Sequence, residues 1–497
     1  MKKKHLFGAA FLIAAAALAV AAALLLRSRF ARPPRPNIVL ISIDTLRADR
    51  LGCYGGPAGI SPNIDAFCNE SVQFLRASSQ APSTTGSHMS LFTGLLPAVH
   101  RVTNWVLRED LAKRFDLAPL ATGIPTLAEY LRENGYRTVG LHGGGHVAPF
   151  FGFDRGFDLY SDAIIDWGEF YSSRAQQEGL LSRLRAAGTS KRPYFLFLHH
   201  YLCHEPYLAA PAWVRQRFLP DPEPGLPLDW DGVMPGRGLF DKKALPAAAA
   251  DNPKPYTRYY ETFWKKIDDG NPRHRRHVRA LYDSGVHYAD MVLGRIVELL
   301  KREGMYDQAL IVVLSDHGEE FWEHGGIVHR NLFKETLHVP LLVRFPGGEF
   351  GGRRVKSPVG QFDLMPTILE YLRIKPRLRL QARSLLPLVR AEKEPPRRVI
   401  SFSDGADTLR FNEGPFVYSD QAVETRWGER LYNFYFDPLE KRNIIAGSPA
   451  LQARMRALAA GIMREQLRLR ARIHAGPAKG SSISPELKKQ LEALGYL

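Results

Sequence analysis

The chain has little cysteine: Cys53, Cys68 and Cys203 are the only three in 497 residues. That excludes a disulfide framework and a zinc site built on cysteines, and leaves a single Cys53 to Cys68 bridge open. It is also short of acid. Asp and Glu number 51 against 67 Lys and Arg, a formal charge of +16, which favours anionic partners or a membrane surface. No recognisable nucleic-acid module accompanies this charge. The arginines between Arg273 and Arg279, at Arg397 and Arg398, and between Arg464 and Arg472 read as solvated helix faces, so nucleic acid is not an expected partner. There is no internal repeat. The length and the 45% hydrophobic content suit a large buried core divided between one big domain and a smaller one.

What is present begins with Lys2, Lys3 and Lys4, an uncharged apolar run from Leu6 to Leu26, and then Arg27 and Arg29. About 20 such residues span a bilayer as a helix. A signal peptide cleaved near Ala19-Val20-Ala21 is the rival, but its apolar region is normally only about 7–15 residues. We read residues 1–35 as an uncleaved anchor and linker. The lysines place the N-terminus in the cytoplasm and everything after Arg27 outside, periplasmic or at the cell surface, or secreted if cleavage occurs. Arg32-Pro33-Pro34-Arg35-Pro36 is a stiff spacer.

From Asn37 to Ile43 the residues are apolar almost without alternation, as in a parallel strand covered on both faces. Tyr194–His199, Ala309–Ser315 and Leu341–Phe345 repeat the pattern. Val278, Leu281, Tyr288, Val292, Ile296 and Leu299 recur at helical spacing, with Gly304 beyond. Strand, helix, strand predicts an α/β sandwich, whose ligands bind past the carboxyl ends of the strands. Asp44, His204 and the pair Asp316-His317 all lie just past such ends. The competing reading is that each caps a following helix. Residues 219–255, rich in Pro, Asp and Gly, read as a surface loop or a lid near the site.

Between these strands, Pro82-Ser83-Thr84-Thr85-Gly86-Ser87-His88 leads into Met89-Ser90-Leu91-Phe92-Thr93-Gly94, a turn that presents a hydroxyl at the mouth of a short helix closed by Gly94. A helix N-terminus attracts anions. With Asn37 to Asp49 (including Asp44-Thr45-Leu46-Arg47), Leu51-Gly52-Cys53-Tyr54-Gly55 and Ser315-Asp316-His317-Gly318-Glu319 in the same order, the chain resembles the sulfatase family of the alkaline phosphatase superfamily from about Pro36 to Pro346, with a weaker echo beyond. The resemblance implies a central, mostly parallel sheet between helices over 36–375. It also implies a small C-terminal α+β subdomain over 376–497, whose strand and turn would lie at Glu429 to Pro438.

Two oxygens from Asp44 and Asp316 and one imidazole from His317 suit a divalent cation, with the Thr84 hydroxyl completing the set. Zn²⁺, Mn²⁺, Mg²⁺ and Ca²⁺ all stay open. By resemblance Thr84 stands at the nucleophile position, where most sulfatases carry a Cys or Ser that becomes formylglycine. Threonine cannot form that aldehyde, so no formylglycine is expected. Thr45 replaces an Asp and His317 an Asn of calcium-dependent relatives, which shifts the preference toward Zn²⁺ or Mn²⁺ and resembles the threonine-nucleophile branch of phosphoethanolamine transferases and lipoteichoic acid synthases. His88 is expected to orient the nucleophile or take its proton, His204 to bind the oxyanion, and His329 to protonate the leaving oxygen. Glu319, Glu320, Glu323 and His324 read as the acidic first turn of a helix. Gly143-Gly144-Gly145 lacks the family's Lys-Trp-His pattern, so neither His142 nor His146 takes a role.

These residues predict a membrane-anchored, metal-dependent ester hydrolase acting on an anionic sulfated or phosphorylated glycan, lipid or small molecule. A phosphoryl transferase and an inactive anion-binding protein are the alternatives. Truncation after Arg35 is expected to leave a folded catalytic region in the soluble fraction after cell disruption. Recovery of the truncated chain only with the membranes would contradict the anchor.

Overall fold

A computed structural model describes residues 35–102, 119–190, 192–229, 262–403, 408–420 and 428–473. The expected span at 6–26, the terminal segment 487–497 and the loop beyond Asp229 lie outside the described residues. Among the described residues no helix is long and apolar enough to cross a membrane. The described residues from Asn37 onward form one compact unit.

Eight strands build the central sheet: β1 (Asn37–Ile43), β2 (Val72–Phe74), β3 (Arg137–His142), β4 (Leu159–Ser161), β5 (Tyr194–His200), β6 (Ala309–Leu314), β7 (Leu341–Arg344) and β8 (Arg354–Val355). Their order is β8-β2-β7-β6-β1-β5-β3-β4. Side chains alternate between faces along a strand, and here both faces are covered. Val39, Ile41, Leu196, Leu198, Ile311 and Val313 enter one core, while Ile38, Leu40, Phe195, Phe197, Leu310 and Val312 enter the other. That is why the strands read as unbroken apolar runs. The first core is closed by the helices α1 (Pro62–Asn69), α4 (Arg174–Gly188) and α5 (Pro272–Arg302), the second by α2 (Thr84–Thr93), α3 (Leu127–Glu133) and α6 (Leu364–Tyr371).

The long helix α5 has the predicted periodicity and takes up Pro272 at its first turn, with the Asn271 side chain accepting from the Arg273 amide. Gly304, at φ 68°, follows its end. One departure concerns Leu341–Arg344, which has the apolar run of a parallel strand yet pairs antiparallel with both β6 and β2. The reason lies in the connection. Between β6 and β7 the chain makes a two-stranded hairpin and the four-residue helix Lys334–Leu337, and not the sheet-covering helix that usually carries a parallel crossover.

After α6 the chain forms an antiparallel meander of β9 (Ile400–Phe402), β10 (Leu409–Glu413), β11 (Phe416–Ser419) and β12 (Arg430–Asn433), then α7 (Pro449–Ile473). Phe402, Leu409, Phe411, Leu431 and Met455 share a core with Leu96, Ala98 and Phe362. The Phe402 amide donates to the Gln80 carbonyl at 2.8 Å, so this sheet grips the segment that leads into α2. Ile41→Ala, which empties the centre of β1 against the first core, is expected to destabilise the protein by about 2–5 kcal/mol, read as a lowered midpoint in urea unfolding.

Candidate active site

β1 and β6 are parallel neighbours with Ser42 opposite Leu314, so Asp44 and Asp316 leave the sheet side by side, each two residues farther on. Both are fully buried. Asp316 Oδ1 accepts from the His317 amide at 2.9 Å and the Thr45 amide at 3.3 Å. The latter depends on Thr45 adopting φ 54°, a costly conformation for a β-branched residue. That turn also swings the Thr45 hydroxyl onto the Asp44 carbonyl at 2.8 Å. Neither Asp44 Oδ1 nor Asp316 Oδ2 accepts a hydrogen bond from an N–H or O–H of the described residues. Burial and the facing Asp316 carboxylate push the Asp44 carboxyl well above its usual range. Two buried carboxylates so close require a shared proton or a cation between them.

Thr84 begins α2, and its hydroxyl donates to Asp44 Oδ2 at 3.0 Å. The same oxygen lies 3.3 Å from His317 Nε2. His317 donates from Nδ1 to the Gly318 carbonyl at 3.0 Å, which leaves Nε2 a bare lone pair 3.7 Å from Asp316 Oδ2 and 4.0 Å from Asp44 Oδ1. Burial drives His317 down to about 3 against the pull of Asp316, so it is neutral at pH 7. Asp44, Asp316 and His317 thus bring ligand atoms within 4.8 Å of one another, an oxygen-and-imidazole set that fits a divalent cation.

The other predicted residues ring this group. His329 packs against His317 at 4.3 Å between ring centroids, and His204 against His329 at 5.4 Å. His329 Nδ1 donates to Glu319 Oε1 at 3.1 Å, and burial with the neighbouring His204 lowers it to about 3. Burial raises the Glu319 carboxyl well above its usual range. His204 is held by its own Nδ1, donating to the Glu205 carbonyl at 2.9 Å. His88 sits below Thr84. Its Nδ1 donates to the Thr84 carbonyl at 2.9 Å and its Nε2 accepts from the Ser42 hydroxyl at 2.8 Å. It therefore fixes the first turn of α2 and does not touch the Thr84 hydroxyl.

One expectation is corrected. Glu319 to His324 do not start a helix: Glu320–Phe321 pairs with Ile327–Val328 as a hairpin. There the Glu320 carboxylate accepts from the His324 and Gly326 amides and from the Asn331 side chain. The competing reading of Asp44 and Asp316 as helix caps does not hold, since Asp44 Oδ2 accepts from the Thr84 hydroxyl and Asp316 Oδ1 from the Thr45 and His317 amides. Arg47 is likewise structural, donating to Asp49, Glu323 and the Glu319 carbonyl. Sequence reasoning passed over His146 and His199. His146 is buried after β3 and electrostatically close to His204, His329 and His317, with its carbonyl accepting from the Thr85 hydroxyl at 2.8 Å. The signal was its place just past an apolar strand.

Residues 36–374 match the sulfatase family model. The chain is 25% identical over 458 residues to choline-sulfatase of Rhizobium meliloti, covering 82% of each. It is 25% identical over 431 residues to the multifunctional alkaline phosphatase superfamily protein PehA of Trinickia caryophylli, covering 73% of this chain and 78% of that one. The crystal structure of the phosphonate monoester hydrolase of Agrobacterium radiobacter superposes with a TM-score of 0.63 at 22% identity, over 90% of this chain and all of that one. A three-layer fold with a buried carboxylate and imidazole cluster past the strand ends defines a hydrolase of the alkaline phosphatase superfamily. Within it, this chain belongs to the sulfatase family.

Asp316→Ala and His317→Ala are each expected to leave a folded protein that no longer retains stoichiometric divalent metal, measured by elemental analysis after gel filtration alongside circular dichroism. Full metal content in both folded variants would dismiss the cluster as a cation site.

Proposed function

We propose that the protein cleaves sulfate or phosphate esters, with Thr84 as the nucleophile of a cation-assisted displacement. The observation that carries this reading is the Thr84 oxygen itself, held at the start of α2 between Asp44 Oδ2 and His317 Nε2. Its single proton is committed to Asp44. Its lone pairs face an imidazole that also has a lone pair to give, an arrangement suited to sharing a cation. A divalent ion held by Asp44, Asp316 and His317 would lower the pKa of that hydroxyl and withdraw charge from the ester. Donors of this kind favour Zn²⁺ or Mn²⁺ over Ca²⁺.

In the cycle, the Thr84 proton passes to Asp44 Oδ2, to which it is hydrogen-bonded, and the Thr84 oxygen attacks sulfur or phosphorus in line. The bond from that atom to the leaving oxygen breaks, and His329 hands the departing alcohol a proton. Burial keeps His329 neutral in the free enzyme. An anionic ester beside it favours its protonated form, so the substrate helps to load the acid. His204 and the first amides of α2 meet the charge on the nonbridging oxygens. Water, its proton taken by His329, then attacks the same sulfur or phosphorus; the bond to the Thr84 oxygen breaks, sulfate or phosphate leaves, and the Thr84 oxygen recovers its proton from Asp44. An acceptor alcohol in place of water would give transfer.

Choline-sulfatase and the phosphonate monoester hydrolase supply the first substrates to try, an alkyl sulfate and a phosphonate monoester, and sulfated glycans extend the sulfate side. Because Thr84 cannot form the aldehyde hydrate through which a formylglycine expels sulfate, its ester must be released by a second displacement. Phosphorus accepts that more readily, so phosphoryl substrates are expected to turn over faster. The charge pattern at 2–29 supports an extracytoplasmic catalytic region tethered by 6–26.

Thr84→Ser is expected to keep part of the activity, and Thr84→Ala and Thr84→Val to lose about a thousandfold or more in kcat. Mass spectrometry of trapped protein is expected to place the adduct on the peptide containing Thr84. An active Thr84→Ala enzyme, or an adduct elsewhere, would remove Thr84 from the mechanism.

A further inference from the structure

His329 is held differently from the histidines around it. His88, His204 and His317 each donate from Nδ1 to a backbone carbonyl, of Thr84, Glu205 and Gly318 in turn. His199, on β5 opposite Ser42, donates to the Ser42 carbonyl at 3.3 Å. His329 alone of this group donates to a carboxylate, Glu319 Oε1 at 3.1 Å. The pair runs from the interior outward: the Glu319 side chain has no exposed surface, whereas 17% of the His329 side chain is exposed. With Nδ1 taken, Nε2 is the ring nitrogen left for a ligand.

Glu319 is itself firmly placed. Its amide donates to the Glu335 carbonyl at 3.1 Å, and its own carbonyl accepts from Arg47 Nη1 at 2.9 Å. The Arg47 guanidinium spends its other donors on Asp49 and Glu323 and makes no bond to the Glu319 carboxylate. A buried carboxylate is costly unless a hydrogen-bonding or cationic partner meets it. The fold brings an arginine near and turns it to other acceptors, so the imidazole of His329 is the basic group that Glu319 bonds.

We infer that Glu319 is the positioning residue of the leaving-group acid: its carboxylate fixes the rotation and tautomer of His329, so that Nε2 is the nitrogen presented to the departing oxygen. The inference rests on the reading of His329 in the cycle above. A ring that must hand over a proton from one nitrogen needs the other held by an acceptor, or it turns and offers either. A carboxylate in that place also supports the ring while it carries the proton. The proton that moves is the one on Nε2. It passes to the leaving oxygen as the bond to sulfur or phosphorus breaks, while the Nδ1 proton stays between the ring and Glu319.

Esters that differ only in their leaving alcohol test this. A p-nitrophenolate departs without a proton, whereas a benzyl oxide needs one, and kcat/KM reports the steps through that departure. The readout is the kcat/KM of the benzyl ester divided by that of the p-nitrophenyl ester, measured on the full chain in detergent with phosphate, sulfate and phenylphosphonate esters. This ratio is expected to fall about a hundredfold in His329→Ala and at least about tenfold in Glu319→Leu, which keeps the bulk and removes the acceptor. Glu319→Gln, whose side-chain carbonyl still accepts from Nδ1, is expected to recover most of it. Glu319→Asp draws the acceptor back by one methylene, and serves with the same expected loss if the leucine variant does not fold. An unchanged ratio in Glu319→Leu or Glu319→Asp, or a Glu319→Gln ratio as low as theirs, would overturn the role of Glu319 and leave His329 as the acid. An unchanged ratio in His329→Ala would overturn the reading of His329, and the inference with it. No turnover of any of these esters by the unaltered chain would overturn the hydrolase reading on which both stand.

Discussion

Two carboxylates, Asp44 and Asp316, are buried side by side at the carboxyl ends of adjacent parallel strands, and much of the surrounding structure answers that electrostatic problem. Buried charge of one sign is expensive unless it is paired or hydrogen-bonded. Around the pair the chain spends the Thr45 and His317 amides and the Thr84 hydroxyl, and it still leaves one oxygen of each carboxylate bare. Two bare oxygens so placed call for a shared proton or a cation between them. The cluster of Asp44, Asp316 and His317 could hold such a cation.

The loops beside the pair are built tightly enough to hold it. Leu46 donates its amide to Ser315 Oγ at 2.9 Å, and that hydroxyl donates to the His317 carbonyl at 2.6 Å, so the segments after β1 and β6 are joined directly. The Tyr282 hydroxyl from α5 donates to the Thr45 carbonyl at 2.7 Å and accepts from the Arg47 amide at 2.9 Å, which braces the left-handed turn at Thr45. Gln361 Nε2 donates to the Asp316 carbonyl at 3.0 Å. Gly318 passes so near the Glu335 carbonyl that a Cβ there would lie 2.1 Å from it, so only glycine allows this approach.

The C-terminal sheet belongs to the same construction. Its first strand takes hydrogen bonds along Ser79 and Gln80, through the Ser401 hydroxyl and the Phe402 amide, just before the turn that presents Thr84. Packing of Phe402 and Leu409 with Leu96 and Phe362 anchors the stretch that follows α2. The helix that begins with Thr84 is thus held by the central sheet on one side and by the meander near both its ends, a rigid mounting for the Thr84 hydroxyl.

From the sequence alone, the apolar runs at β1, β5 and β6 and the period of α5 identified an α/β sandwich, because strands buried on both faces and a helix buried on one leave local marks. The polar residues just past those runs marked Asp44, His204, Asp316 and His317 for the same reason, and the motif order pointed to the family. Short strands such as β2 and β4 carry too few residues to show a period. The antiparallel sense of β7 follows from what lies between the strands and not from the strand itself. His199 looked like the last residue of a strand, and the Ser42 hydroxyl like an ordinary polar interruption. Their meeting with Asp44 and His88 depends on the register of parallel strands far apart in the chain, which no local pattern encodes. The chemical types were written in order along the chain; which of their atoms face one another, and which are left bare, was decided only when the strands paired and buried them.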